Sequence, residues 1–421
     1  MRVNIRQAII IGAPSHNDKA ADIFIENGVI TAIAPAIDKK ADVVVAAEGL
    51  HVSAGWVDVF ADYREPGYEH KETISSGLNA AAAGGFTDVF LTPNTEPVAA
   101  GKSVIQYILQ KAQGHTTSVH PLGAVSQNAE GKVLAEMLDM HTHGAIAFTD
   151  GWKPVQNTNL FLKALEYAKA FNGVLLQIPV DNSLASGGLM HEGTVSTRLG
   201  MAGIPTLAET LFVHRDIELL RYTNGRLHIT GLSSAESVAM IRRAKADGLD
   251  VTCSVTPYHL ALTDEALAGY DSLYKVSPPL RTEADRQALI VGLADGTIDC
   301  IATHHRPHEW DAKAKEYEYA ADGMNIQEVA FNVLLQATGN QVALGTLINA
   351  LTTNPRRIFG LQQPVIAEGS PASLTLFSRY GDTVINRENK RSAGYNNPFA
   401  GILLPGSVIG IINNNNIHLN K

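Results

Sequence analysis

Short apolar runs that stop abruptly at polar residues recur along this chain, and the spacing between them separates two kinds of architecture. From Met1 to about Ser53 the runs VNIRQAIII, KAADIFIENGVITAI and DVVVAAEGLHV follow one another with turns between them, one at Asn27-Gly28. No long helical periodicity intervenes, so this part reads as strands and hairpins. After Pro364, ASLTLFSRYGDTVIN and GILLPGSVIGIINNNNIHLN read the same way, and the two ends are expected to build one β-sandwich together from residues 1–53 and 364–421.

Between them, over 54–363, strand and helix alternate. WVDVF, TDVFLTPN, SVHPLGAVS, AIAFTDG, GVLLQIPVDN, RLHITGLS, DVTCSVTPYHL and TIDCIATHH are near-continuous apolar runs, and amphipathic segments such as NLFLKALEYAKAF separate them. Repeated βα units of this kind predict a parallel sheet covered by helices, and eight of them fit a closed (β/α)8 TIM-like barrel. A doubly wound open sheet competes, but no glycine-rich dinucleotide loop follows the first run. In a barrel the chemistry sits where strands end, so the polar residues closing each run are the candidates.

Composition narrows the function classes. Apolar residues at 45% and charged residues at 18% describe an ordinary globular chain, and a net charge of -9 disfavours nucleic acid or an anionic membrane as partner. No apolar stretch has the length of a membrane span and the amino terminus lacks a secretory core, so a cytoplasmic location is expected. The only cysteines, Cys253 and Cys300, stand in strand-like apolar runs and read as buried thiols.

The strand ends carry a resemblance. WVDVFADYREPG (Trp56 to Gly67), LTPNTEP (Leu91 to Pro97), the run from EGTVS through GIPTLAE and VHRDIEL to Leu219, and KVSPPLRTEADR through DGTIDCIAT to Thr303 together resemble dihydroorotases, cyclic amidohydrolases of the class I type, over nearly the whole chain. The resemblance implies the barrel with its composite β-sandwich, and an activity that opens or closes a cyclic amide with one or two zinc ions. Metal-bound water loses its proton near neutral pH, and an aspartate carries that proton to the leaving nitrogen.

Carried over residue by residue, the metal and proton-transfer positions are mostly replaced. The first histidine of His-x-His falls at Phe60 and the second at Asp62, the bridging aspartate at Asp150, the next histidine near Gln177, the histidine of His-Ile-x-His-Ile-Ser at Gly231, and the catalytic aspartate at His304. Only Asp150 is kept. Positions that hold substrate in the family fare better: Arg64, Asn94 and His308 match, Ser277 stands for an asparagine, Tyr258-His259 for a His-His pair, and Asp322 and Gly323 end a substrate-closing turn that lacks its proline. A guanidinium at Arg64 suits a carboxylate.

Each candidate has a plainer reading. Neighbouring residues on a strand face opposite ways, so His304 and His305 are not expected to share an ion. A single zinc held by Asp62, Asp150 and His304 stays open as an alternative. Arg64 could pair with Asp62 or Asp150 and replace a metal's positive charge. His141 and His143 precede a strand instead of ending one, EWDAKAKEYEYAAD reads as a solvated face, and Asn413 to Asn416 as a turn.

Three functions follow. One is a catalytically inactive dihydroorotase homologue of de novo pyrimidine biosynthesis, a structural or regulatory partner for which the resemblance suggests aspartate transcarbamoylase, in a homo- or hetero-oligomer. The others are an active hydrolase with a reorganised or single-metal site, and a module that binds a small anionic pyrimidine intermediate through Arg64, Asn94 and His308.

Overall fold

The computed structural model describes residues 1–12 and 19–420. The eight expected runs form one parallel sheet, in chain order Trp56–Ala61, Phe86–Leu91, Ser118–Gly123, Ala147–Phe148, Leu175–Gln177, Leu227–Thr230, Val251–Val255 and Cys300–Ile301. The sheet closes into a barrel just past the eighth strand. There Ala61 pairs in parallel with His305, and the Asp62 N–H donates to the His305 carbonyl at 2.8 Å. Closure therefore brings two of the altered strand ends side by side.

The strands are buried on both faces. Val57, Val59, Phe60, Phe90, Leu122, Leu176 and Ala302 pack in one apolar cluster, and Trp56, Phe86, Val89, Leu175, Leu227 and Ile229 pack in another with helix residues such as Phe161, Val213 and Ile241. Two-sided burial explains why these strands are near-continuous apolar runs without alternation.

The chain's two ends meet in a second sheet. Leu50–Ala54 lies antiparallel to Leu374–Thr383, which pairs with Leu404–Asn413 and then Asn416–Leu419; on the other side Arg2–Ile10, Lys19–Glu26 and Val29–Ala34 continue the order. Val3, Ile5, Ile10, Ile23, Val52, Leu374, Leu376 and Ile412 are its core. The fold is thus a (β/α)8 barrel with a small β-sandwich-type domain from both termini. The asparagine run makes the final hairpin: Asn414 and Asn415 take left-handed φ values of 53° and 57°, as hairpin turns of two residues require.

One expectation needs correction. The segment EWDAKAKEYEYAAD is not simply a solvated face. It forms the short helix Trp310–Lys313 and a 3-10 turn, and buries Lys313 and Tyr317. The Lys313 Nζ donates to the Ser272 carbonyl at 2.9 Å, which hydrogen-bonds the ammonium without a carboxylate; burial pushes its pKa down to about 7.

Candidate functional site

At the mouth of the barrel the side chain of Trp152 occupies the chamber between the strand ends. Phe60 meets its ring edge-on with centroids 5.2 Å apart, and His304 meets it perpendicularly at 5.4 Å. Phe60 and His304 also touch, at 4.7 Å. The Trp152 Nε1–H donates to Asp62 Oδ2 at 2.7 Å, so the indole satisfies its only donor while filling the space with apolar surface.

Local sequence explains how Trp152 gets there. The fourth strand ends at Phe148, and Gly151 follows with φ of +62°; a Cβ there would lie 1.9 Å from Asn94 Oδ1. Glycine thus lets the loop turn against Asn94, whose amide then clamps it: Nδ2 donates to the Asp150 carbonyl at 3.0 Å and Oδ1 accepts from the Trp152 N–H at 3.0 Å. Gln177 does the same further along. Its Oε1 accepts from the Val155 N–H at 3.2 Å and its Nε2 faces the Val155 carbonyl at 3.4 Å. Asn94 and Gln177, which the resemblance would assign to substrate and to metal, thus hold the loop that carries the indole inward.

The other positions that the resemblance would assign to metal or proton transfer are also engaged elsewhere. Asp150 is fully buried and accepts from the Ser126 N–H at 2.9 Å and from the Ser126 hydroxyl; burial pushes its pKa up to about 6 against those bonds. Gly231 has φ of +75°, and a Cβ on it would lie 2.5 Å from His304 Cε1, so the histidine ring sits over the missing side chain. His304 itself takes φ of +48°, uncommon outside glycine. Its Nε2 is 2.8 Å from Thr230 Oγ1, which accepts from Ser254 Oγ at 2.8 Å. Burial first, then the neighbouring His259, His228 and Arg306, holds His304 well below the ordinary imidazole range, which keeps it neutral. His305 points the other way, edge-on to Tyr63 at 5.8 Å, with Nε2 3.7 Å from Glu72.

Zinc does not fit these residues. Phe60 and Gly231 offer no donor atom, Gln177 and Asp150 are hydrogen-bonded to the loops around them, and Asp62 is taken by Trp152 and Arg64. Asp62, Asp150 and His304 do not converge, and among the described residues no group of three His, Cys, Asp or Glu side chains is placed to hold a metal ion.

Outside the indole a cleft of about 540 Å³ remains open, lined by Arg64, Tyr68, Asn94, Trp152, Lys153 and Arg306, with Glu96 and Glu130 also on its walls. The Arg64 Nε lies 2.9 Å from Asp62 Oδ2, so the pairing expected for Arg64 falls on Asp62, which is 1% exposed. The geometry is an ion contact without hydrogen-bond alignment: Arg64 Nε and Asp62 Oδ1 both lack a hydrogen-bond partner. Arg306 stacks on Trp152, its guanidinium carbon 4.4 Å from the ring centroid.

The other positions that the resemblance would assign to substrate do not line the cleft. His308 is buried, with Nε2 donating to the Asp322 carbonyl at 2.8 Å and Nδ1 3.3 Å from Lys71 Nζ. Gly323, at φ of +128°, packs against the Arg306 side chain, and Ser277 is half-buried. Arg306 and Trp152 are the site residues that reasoning from the sequence missed. Trp152, one of three tryptophans, two residues beyond Asp150, was the available signal.

Known proteins share the family and the fold of this chain. A family model described as dihydro-orotase-like matches residues 50–237. The chain is 42% identical over 413 residues to a protein named dihydroorotase from Syntrophus aciditrophicus, covering 97% of each chain. It is 38% identical over 416 residues to one of the same name from Acetivibrio thermocellus, covering 98% of each. Among solved structures, the L-hydantoinase (dihydropyrimidinase) of Arthrobacter aurescens superposes with a TM-score of 0.87 at 21% identity, covering 100% of this chain and 96% of that one. The dihydropyrimidinase of Brevibacillus agri gives 0.83 at 20% identity, with 100% and 95% covered.

Proposed function

Because the chain belongs to the dihydroorotase-like family, we propose that it is a non-hydrolytic member, serving de novo pyrimidine biosynthesis in the cytoplasm as a structural or regulatory partner of another enzyme. Aspartate transcarbamoylase is the partner that the family resemblance suggests, within a homo- or hetero-oligomer. The observation that supports the reading is the filled chamber: Trp152, held by Asn94 and Gln177, lies among Phe60, Asp62 and His304. A hydrolytic water needs a metal or a base beside it, and here the indole fills that space while burial leaves the His304 imidazole a weak base.

The relatives' name favours the other reading, an active cyclic-amide hydrolase with a reorganised metal site. The deciding experiment assays purified full-length protein for dihydroorotate hydrolysis and for closure of carbamoyl aspartate, before and after added zinc, with metal content measured after dialysis. The expected outcome is turnover indistinguishable from buffer and no stoichiometric zinc. Zinc-dependent turnover at an enzymatic rate would overturn the proposal. For the partner, co-purification of the two untagged proteins from the native cell as one complex supports the assignment, and separate elution at native concentrations removes it.

A further inference from the structure

We propose that the cavity shared by Trp310 and Tyr395 binds a small aromatic acid, its ring against those two side chains and its carboxylate on Arg387. The inference stands apart from the non-hydrolytic reading, because none of these residues lines the cleft at the barrel mouth.

The cavity holds about 250 Å³, small for a ligand site and enough for one or two rings with a short arm. Leu273, Ile385 and Pro398 give it apolar walls, and Trp310 and Tyr395 give it aromatic ones. Of the three tryptophans, Trp310 alone is exposed, at 63%. Among the described residues its ring meets no other aromatic ring and its indole N–H has no hydrogen-bond partner. An uncovered indole with a free donor beside a concavity can both stack on a ring and hydrogen-bond to it. The loop that carries Tyr395 is also tied to the barrel mouth: Asn396 donates to the Arg306 and Gly323 carbonyls at 2.8 and 2.9 Å and accepts from the His308 N–H at 2.8 Å. A ligand held by Tyr395 and Arg387 therefore stabilises a loop that braces the barrel.

The charges on the wall set the sign of the ligand. Two cations gather at Tyr395: Lys390 Nζ lies 4.6 Å and the Arg387 guanidinium carbon 5.8 Å from its ring centroid. Lys390 spends its donors on the Ser392, Ala393 and Gly394 carbonyls, at 2.7, 3.1 and 3.1 Å, and its charge faces Glu328. Glu328 is the one carboxylate in the lining and accepts from the Arg391 and Ser392 N–H groups at 2.7 and 3.0 Å. Glu72, also near Lys390, is buried outside the lining and takes the Ser76 and Ser392 hydroxyls and the Ala393 N–H. Farther out, Glu309 is paired with Lys71 at 3.5 Å, while Asp311 and Glu388 are exposed, where water and salt screen them. Arg387 is left over: among the described residues it forms no ion pair and donates no hydrogen bond. An unspent guanidinium fork at an aromatic cavity fits one carboxylate, since the lining carries Arg387 and Lys390 against Glu328 alone.

The test is calorimetry on the full chain with phenylacetate and indole-3-acetate, with acetate for the charge alone and benzyl alcohol for the ring alone. It is repeated on Trp310→Ala, on Arg387→Gln and, at the barrel mouth, on Arg64→Ala. Trp310 and Arg387 are exposed, so both variants should fold, which circular dichroism checks. Saturable binding of the two ring-bearing acids is expected, weakened about three- to tenfold by either substitution, with acetate and benzyl alcohol weaker by a similar factor. Arg64→Ala should bind as the wild type does. The proposal is overturned by no saturable heat from either acid up to ~10 mM, by wild-type affinity in Trp310→Ala or Arg387→Gln, or by benzyl alcohol binding as tightly as phenylacetate. Loss of binding in Arg64→Ala overturns it too, because the acid would then sit in the barrel mouth. Zinc-dependent turnover would sink the non-hydrolytic reading and leave these titrations standing, so the two ideas fail separately.

Discussion

Two buried ion pairs stand near the top of the same barrel and differ in how completely they are hydrogen-bonded. Glu209 and Arg281 are 1% and 2% exposed and 3.1 Å apart. The carboxylate also accepts from the Ser233 and Ser234 N–H groups at 3.2 and 3.0 Å and from both serine hydroxyls. Arg281 spends its other donors on Ser233 Oγ at 2.7 Å and on His191. Asp62 and Arg64 are as close, yet leave Asp62 Oδ1 and Arg64 Nε unmatched, next to the unmatched Arg306 Nε and His304 Nδ1. A complete network of this kind is part of the fold; an incomplete one at a cleft has capacity for something else.

The comparison can be broken from either side. The largest effect is expected at the complete pair: Glu209→Ala strands Arg281 in the interior and should cost about 3–5 kcal/mol in chemical denaturation. A cost below ~1 kcal/mol would show that the network is dispensable.

Next comes acid. His259 lies beside that pair, with Nε2–H donating to the Pro278 carbonyl at 3.1 Å and Nδ1 2.8 Å from Thr256 Oγ1, and burial pushes its pKa down to about 4. The unfolded chain takes up the proton near the ordinary histidine value and the folded one does not. Stability should therefore be level above pH about 6.5 and fall by up to about 3 kcal/mol as the pH drops toward 4. The measurement is denaturation against pH for wild type and His259→Gln; an unchanged slope in the variant would remove His259 as the cause.

Smaller again, Gly231→Ala should lose about 1–3 kcal/mol, because the new Cβ meets His304 and the backbone is left-handed there. A crystal structure of a tolerated variant with His304 unmoved would refute the packing described. The smallest effect belongs to the incomplete pair: Asp62→Asn should change stability by no more than about 1 kcal/mol, since the contact it loses is poorly aligned. A loss as large as that of Glu209→Ala would make the two pairs equivalent.

Most of the fold was legible from the chain. All eight barrel strands coincide with apolar runs, because two-sided burial writes itself into consecutive residues. That Phe60 and Gly231 offer no donor atom was legible too, whatever surrounds them. Trp152 was not. Its place depends on hydrogen bonds from Asn94 and Gln177, which follow other strands, and no local pattern encodes contacts between loops. Arg306 escaped for the same reason, standing in the histidine-rich segment IATHHRPH, whose residue types suggest metal ligands. Lys313 shows the converse error: a charge-rich stretch suggests solvent, yet backbone carbonyls accept from its buried ammonium.

The pairing of Leu50–Ala54 with Leu374–Thr383 sets an order of events during synthesis. At roughly 5–20 residues per second, the amino-terminal strands leave the ribosome well before their partner exists, and the barrel between them can form in the interval. Until then Leu50–Ala54 presents an unpaired edge, a hazard for association with other nascent chains. The last hairpin closes that sheet and also fastens it to the barrel, as Asn413 Nδ2 donates to the Thr87 and Thr116 carbonyls at 3.2 and 2.9 Å. Loss of the final strands would therefore show first as aggregation of newly made chain, before any change in the barrel's own packing.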